Sequence, residues 1–276
     1  MGQFNRRFFA LFIFFCFSTT LVYGGNRKEI KQNRPPAEYS KKSIKSEISF
    51  GRNLAAKLLA NETLSSQKRL TEYVALIGRG LAENIGRPEL NYYFGVVQSD
   101  NINAYALPGG YIFITSKAIE LMKNEAELVG VLAHEIAHVN RRHVLKAVKF
   151  KSSENELFAD AEILVGGGVF KGLQTIDVMM DKAFQVLFDK GLEEHYEFEA
   201  DRLALDLMQV VEYNPKAYVD YLKVVAQNTK QSSNSIYTKT HPPLSSRIRK
   251  LEGLLKGMES TDDGTINEKR FKKYVR

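Results

Sequence analysis

Residues Leu128–Val139 form an apolar run interrupted only by His134, Glu135 and His138. Asn124 can cap a helix there, and Glu127, three positions on, completes a capping box. Arg141, Arg142 and Lys146 follow, toward the C-terminal end where the helix dipole favours cations. The pattern predicts a helix in the core, and the rest of the chain must fold around it. Burying two imidazoles and a carboxylate among aliphatic side chains is costly unless each has a partner. Residues at i and i+4 share one helix face. Two histidines so spaced can hold one metal ion, with Glu135 beside them as a general base.

The chain has 276 residues, 44% of them apolar and 26% charged, which is enough to build a sizeable core. That balance excludes a mainly disordered, collagen-like or coiled-coil protein. Cys16 is the only cysteine, so a disulfide framework is excluded too.

Residues 1–24 read as an export signal: Arg6 and Arg7, the apolar run Phe8–Phe17, then Val22-Tyr23-Gly24 around a cleavage point. The run is shorter than the ~20 residues a membrane span requires. An uncleaved N-terminal anchor is the alternative. Residues 25–47 form a basic, polar leader. They offer peripheral contact with anionic lipid, but lack the aromatic interleaving expected for nucleic acid. The main folded domain is expected over 48–257, and 258–276 as a polar tail.

Helical periodicity predicts helices over 46–60 and 66–85. Strand-forming residues follow at Tyr92–Val97. Asn103, Ala104, Tyr105, Ala106 and Leu107 read as a strand, turned by Pro108-Gly109-Gly110 into a second strand, Tyr111–Thr115. Further helices are expected over 117–123, 174–189, 193–212, 215–228 and 244–257. Helices, a small strand cluster and helices again make an α+β fold, mostly helical.

A catalytic zinc takes three protein ligands and keeps one position open. His143, five residues past His138, turns to another face of the helix and reads as structural or solvent-facing. Downstream, Glu197 and Asp201 are again i and i+4. Glu197 can ligate, while Asp201 accepts a hydrogen bond from a ligand histidine. Glu199 is rotated away from both, yet spacing alone leaves Glu193, Glu194 and Glu199 open as ligands.

HEIAH, the Glu197/Asp201 pair within EFEADRLALD, the upstream NAYALPGGYIFIT and the late HPPLSSRI occur in order over residues 48–255. Together they resemble metallopeptidase family forty-eight, specifically its soluble bacterial periplasmic branch. The resemblance implies a zincin-like (gluzincin) domain. It implies one zinc per chain on His134, His138 and Glu197, with Glu135 catalytic and Asp201 behind the ligands. The transmembrane helices of the prenyl and HtpX-type branches are not read in the sequence, and no tetratricopeptide array is expected after the domain. Many relatives have a Ser-Arg pair where this chain has Glu193-Glu194.

The sequence therefore leads us to expect a periplasmic zinc endopeptidase acting on unfolded or misfolded polypeptides. A chaperone-like assembly factor with latent proteolysis is the alternative. Residues 103–107 offer an edge for an extended substrate. His241, stiffened by Pro242-Pro243, is a candidate gate over the open zinc position or an oxyanion stabiliser. Nothing in the sequence sets the oligomeric state.

Overall fold

A computed structural model describes residues 39–85, 87–150, 170–230, 241, 243–258 and 264–275. The expected export signal and most of the basic leader lie outside them. In chain order the elements are α1 (Lys41–Asn61), β1 (Thr63–Leu64), α2 (Lys68–Ile85), β2 (Tyr93–Gln98), β3 (Ala104–Leu107), β4 (Tyr111–Thr115), α3 (Ser116–Glu120), α4 (Glu125–Arg141) and α5 (His143–Ala147). Then come α6 (Phe170–Gln185), which runs into a π-helical turn Val186–Lys190, and α7 (Glu194–Val210), α8 (Lys216–Lys230), α9 (Leu244–Leu255) and α10 (Glu268–Val275). The α+β, mostly helical expectation holds.

Helix α4 is the axis of the molecule. Asn124 Oδ1 accepts from Glu127 N at 3.1 Å, and Glu127 Oε2 accepts from Lys123 N at 2.7 Å, so the expected capping pair is present. Every residue from Glu125 to Asn140 is buried, as suits a helix that is apolar on nearly all sides. Helices α7 and α8 pack along it. Gly130 permits the α8 contact, because a Cβ there would come within 2.5 Å of Tyr218 Cβ.

The sheet is mixed, with strand order β1-β2-β4-β3. β2 runs parallel to β4, and β3 runs antiparallel to it with Ala104 opposite Ile114 and Leu107 opposite Tyr111. The Pro108–Gly110 turn between them needs left-handed backbone at Gly109 (φ 76°) and Gly110 (φ 94°), which glycine adopts at little cost. β3 is an edge strand, paired on one side only among the described residues.

Three expectations are corrected. The helix assigned to start at 46 starts at Lys41, because Ser40 caps it by accepting from Ser43 N, and Glu47 is buried against Arg87 at 2.7 Å. The end of the basic leader is thus part of the fold. Part of the expected polar tail is also folded: α10 buries Phe271 and stacks Tyr274 on Tyr73 at 4.5 Å. Its apolar stripe, Phe271–Tyr274–Val275, is hidden in the sequence among lysines and arginines. Finally, the helix after Asn124 does not run through to Lys146. It breaks at Arg142, which adopts left-handed φ 57°, holds its Nε 3.0 Å from Glu47 Oε2 and lies under the Tyr39 ring. No helix among the described residues is long and apolar enough to cross a membrane.

Candidate metal centre

Helices α4 and α7 bring the two i, i+4 pairs face to face. His134 Nε2 and His138 Nε2 lie 3.0 Å apart. Glu197 approaches from α7, with Oε2 3.6 Å from His134 Nε2 and Oε1 3.4 Å from His138 Nε2. One ligand atom from each residue falls within 4.8 Å of the others, the only such group of three or more His, Cys, Asp or Glu among the described residues. Glu193 and Glu194 are exposed and Glu199 is only half-buried, so among the carboxylates left open by spacing Glu197 is the one grouped with both histidines.

These residues fit a cation. Glu197 Oε2 is buried and makes no hydrogen bond among the described residues, although Arg247 Nη1 stands 3.2 Å away as an electrostatic neighbour. Burial opposes charge on His134, yet the Asp201 and Glu197 carboxylates raise its pKa to about 9. His138 is held well below the ordinary value by burial and by the adjacent His134 charge. The field therefore favours one positive charge, not two, between the imidazoles. Two nitrogen ligands and a carboxylate suit zinc and similar divalent ions.

Asp201 lies behind His134, its Oδ1 3.0 Å from Nδ1. That placement lets the carboxylate orient the ring, with Nε2 facing His138 Nε2 and Glu197. Asp201 is itself clamped. Arg247 Nη2 donates to Oδ1 at 2.6 Å, Arg247 Nε donates to Oδ2 at 2.8 Å, and Tyr218 OH donates to Oδ1 at 2.9 Å. Burial works against this carboxylate, but the guanidinium and His134 keep it far below the usual range. The sequence analysis placed Arg247 only within the late HPPLSSRI segment and did not single out Tyr218. A signal for Arg247 was present: it stands within the stripe Leu244–Arg247–Leu251, all buried, on the last long helix. Tyr218 carried no signal beyond its place on an expected helix.

Glu135 is 5% exposed, and burial pushes its carboxyl up to about 7, with the Glu197 charge adding to the rise. It lines a cleft with Ala104, Ala106, His138, Glu197 and His241, and an adjoining one with Asn103, Val131 and Tyr221. Of the expected substrate edge, Asn103, Ala104 and Ala106 face the clefts. Tyr105 and Leu107 point the other way into the core, as strand alternation requires. His241, distant in sequence, comes to the site: its Nε2 lies 3.9 Å from Glu197 Oε2.

Of the two readings of His143, structural or solvent-facing, burial excludes the second: it is fully buried, with Nδ1 2.8 Å from His138 Nδ1 and Nε2 3.2 Å from Glu199 Oε2. The break at Arg142 turns it back toward His138, which an unbroken helix forbids.

Residues 68–255 match the model of Peptidase family M48. The chain is 28% identical over 213 residues to the beta-barrel assembly-enhancing protease of Yersinia pestis, a match covering 75% of this chain and 43% of that protein. It is 27% identical over 192 residues to the mitochondrial metalloendopeptidase OMA1 of Schizosaccharomyces pombe, covering 68% of this chain and 54% of that one. With the metalloprotease YcaL of Escherichia coli it shares 25% identity over 191 residues, covering 68% and 71%. The chain thus spans under half the length of the assembly-enhancing protease it matches.

Proposed function

This chain belongs to peptidase family M48, and we propose that it is a zinc endopeptidase that cuts unfolded or misfolded polypeptides in the periplasm. The observation that carries the reading is the convergence of His134, His138 and Glu197 beside Glu135, beneath the free edge of β3. Export rests on Arg6, Arg7 and the Phe8–Phe17 run.

His134, His138 and Glu197 would hold one zinc ion, and Asp201 orients His134. Bound there, zinc lowers the pKa of a water and polarises the scissile carbonyl. Glu135 takes a proton from the attacking water and delivers it to the leaving amine. Its apolar surroundings suit that exchange, because they bring its proton affinity close to neutral pH. The β3 edge pairs with an extended substrate backbone. Asn103 supports this role, since its Nδ2 is buried without a hydrogen-bond partner among the described residues. His241 is a gate that substrate must push aside, and its approach to Glu197 supports that role.

Metal analysis of the purified protein, with casein cleavage measured with and without chelator, tests the reading. A protein that carries no zinc, or cleaves equally well in chelator, refutes it. His241→Ala should raise basal cleavage; a fall would make the residue an oxyanion stabiliser instead. A second reading is a chaperone-like envelope assembly factor, favoured by the assembly-enhancing role in the name of a relative. Function that survives Glu135→Gln would select it.

A further inference from the structure

The two ligand histidines are supported differently. His134 reaches a carboxylate directly, at Asp201. His138 reaches one through another imidazole: Nδ1 to His143 Nδ1 at 2.8 Å, then His143 Nε2 to Glu199 Oε2 at 3.2 Å. The second Glu199 oxygen lies 3.0 Å from Arg141 Nε, and the Tyr196 ring packs on His143 with centroids 4.6 Å apart. We infer that His143 and Glu199 are positioning residues that fix the tautomer of His138, leaving its Nε2 lone pair turned toward the metal. The inference rests on the zinc reading above.

The proton positions follow from donor and acceptor counts. An ionised carboxylate only accepts, so His143 Nε2 carries the proton shared with Glu199. A neutral imidazole has a single N–H, which makes His143 Nδ1 an acceptor. Two Nδ1 atoms 2.8 Å apart hold one proton between them, and it must belong to His138. His138 Nε2 is then unprotonated, 3.4 Å from Glu197 Oε1 and 3.0 Å from His134 Nε2.

An intermediary imidazole has a physical rationale. The buried cluster already contains Glu135, Glu197 and Asp201. A further carboxylate placed directly on His138 would add a buried anion, whose desolvation is costly. His143 passes on the hydrogen bond while adding no charge. Glu199 stays at the margin, its side chain 35% exposed and paired with Arg141. The left-handed Arg142 is what brings His143 into place, so the helix break serves the site.

Zinc affinity of the purified full chain, measured by chelator competition, tests this. His143→Leu should weaken zinc binding about 10–100-fold, the range for lost partners behind a metal ligand. His143→Asn, which restores an acceptor oxygen near the Nδ1 position, should recover most of that loss. Glu199→Ala should weaken binding about tenfold, and Glu199→Gln, still an acceptor, should recover it. Urea unfolding of the metal-free proteins separates positioning from packing. If affinity follows stability and not the presence of an acceptor, the inference is overturned. Should His143→Leu fail to fold, the Glu199 pair decides. Wild-type affinity in every variant overturns the relay alone, whereas a wild-type chain that takes up no zinc overturns the metal reading and the relay with it.

Discussion

Helix α4 carries two buried acid clusters of opposite construction. At its first residue, Glu125 is surrounded by donors: Tyr73 OH at 2.5 Å, Asn267 Nδ2 at 3.0 Å, and also Tyr213 and Arg270. At its middle, the Glu197 carboxylate faces two imidazole nitrogens whose outer partners turn lone pairs inward. The first cluster closes on itself and ties α2, α4, α10 and the Tyr213 segment together. The second gathers ligand atoms that could hold a cation. A buried acid among donors is a clamp; a buried acid among acceptors is a ligand set.

The sharpest way to break this contrast is to alter one acid from each cluster region. Glu135→Gln should lower peptide cleavage by about 10²–10⁴-fold, the usual contribution of a general base, while the protein keeps its zinc. Glu125→Gln should leave cleavage unchanged. Steady-state cleavage and metal content of both proteins check this, and zinc loss in Glu135→Gln would show that Glu135 helps hold the ion.

Stability should respond the other way round. Glu125→Ala strands the buried Tyr73 hydroxyl and releases Arg270, whose side chain is about half exposed and can rehydrate. The expected cost is about 2–4 kcal/mol in urea unfolding, with zinc affinity unaltered. The clamp also has a pH signature. Burial opposes the Glu125 charge, but Arg270, Tyr213, Tyr73 and Asn267 outweigh it and hold the pKa below the ordinary 4.5. The folded form therefore binds protons less readily than the unfolded one. Its contribution is fully present above about pH 4.5 and is lost as pH falls through the lower folded value. Glu125→Gln should flatten that acid limb.

Asp201→Asn probes the connection between clamp and ligand set, because Asp201 belongs to both kinds. It accepts from Arg247 and Tyr218 like a clamp, and its Oδ1 stands 3.0 Å from His134 Nδ1 like a ligand support. Zinc affinity should fall about tenfold, at the low end for such partners, since the amide oxygen can still accept from His134. An unchanged affinity would mean that packing alone orients His134.

The convergence of His134, His138 and Glu197 was legible because its signal is local: each pair lies at i, i+4 on one helix. Asp201 was legible for the same reason. Arg247, Tyr218 and Glu125 were not, because their partners lie 46, 17 and up to 145 positions away and only tertiary packing joins them. His143 was read only as structural or solvent-facing, and a single backbone feature decides between the two. The apolar period gave no warning that Arg142 would turn left-handed, and that one residue decides whether position 143 faces water or His138. α10 was missed because three apolar residues in a lysine-rich octet look like a solvated tail until Tyr73 and Glu125 supply their partners.

The smallest effect concerns the cap that begins α4. Asn124 Oδ1 holds Glu127 N, and Glu127 Oε2 holds Lys123 N. Asn124→Ala should cost about 1 kcal/mol, as lost N-caps commonly do. His134 lies ten residues on, roughly 15 Å along the axis, so zinc affinity should not move. Glu127 sharpens the contrast with its neighbour Glu125. Burial pushes its carboxyl up to about 7, with the Lys123 backbone only partly opposing the rise. The folded form then binds a proton that the unfolded form releases, so this contribution is fully present below about pH 4.5 and is lost as pH rises through 7. Glu125 and Glu127, two residues apart on one turn, thus tilt stability in opposite directions. Unfolding free energies of Glu125→Gln and Glu127→Gln between pH 3 and 8 should differ from wild type with opposite slopes: the first removes the acid-side loss, the second the neutral-side loss. Equal slopes would show that the first turn of α4 opens to water and that its acids do not sense the core.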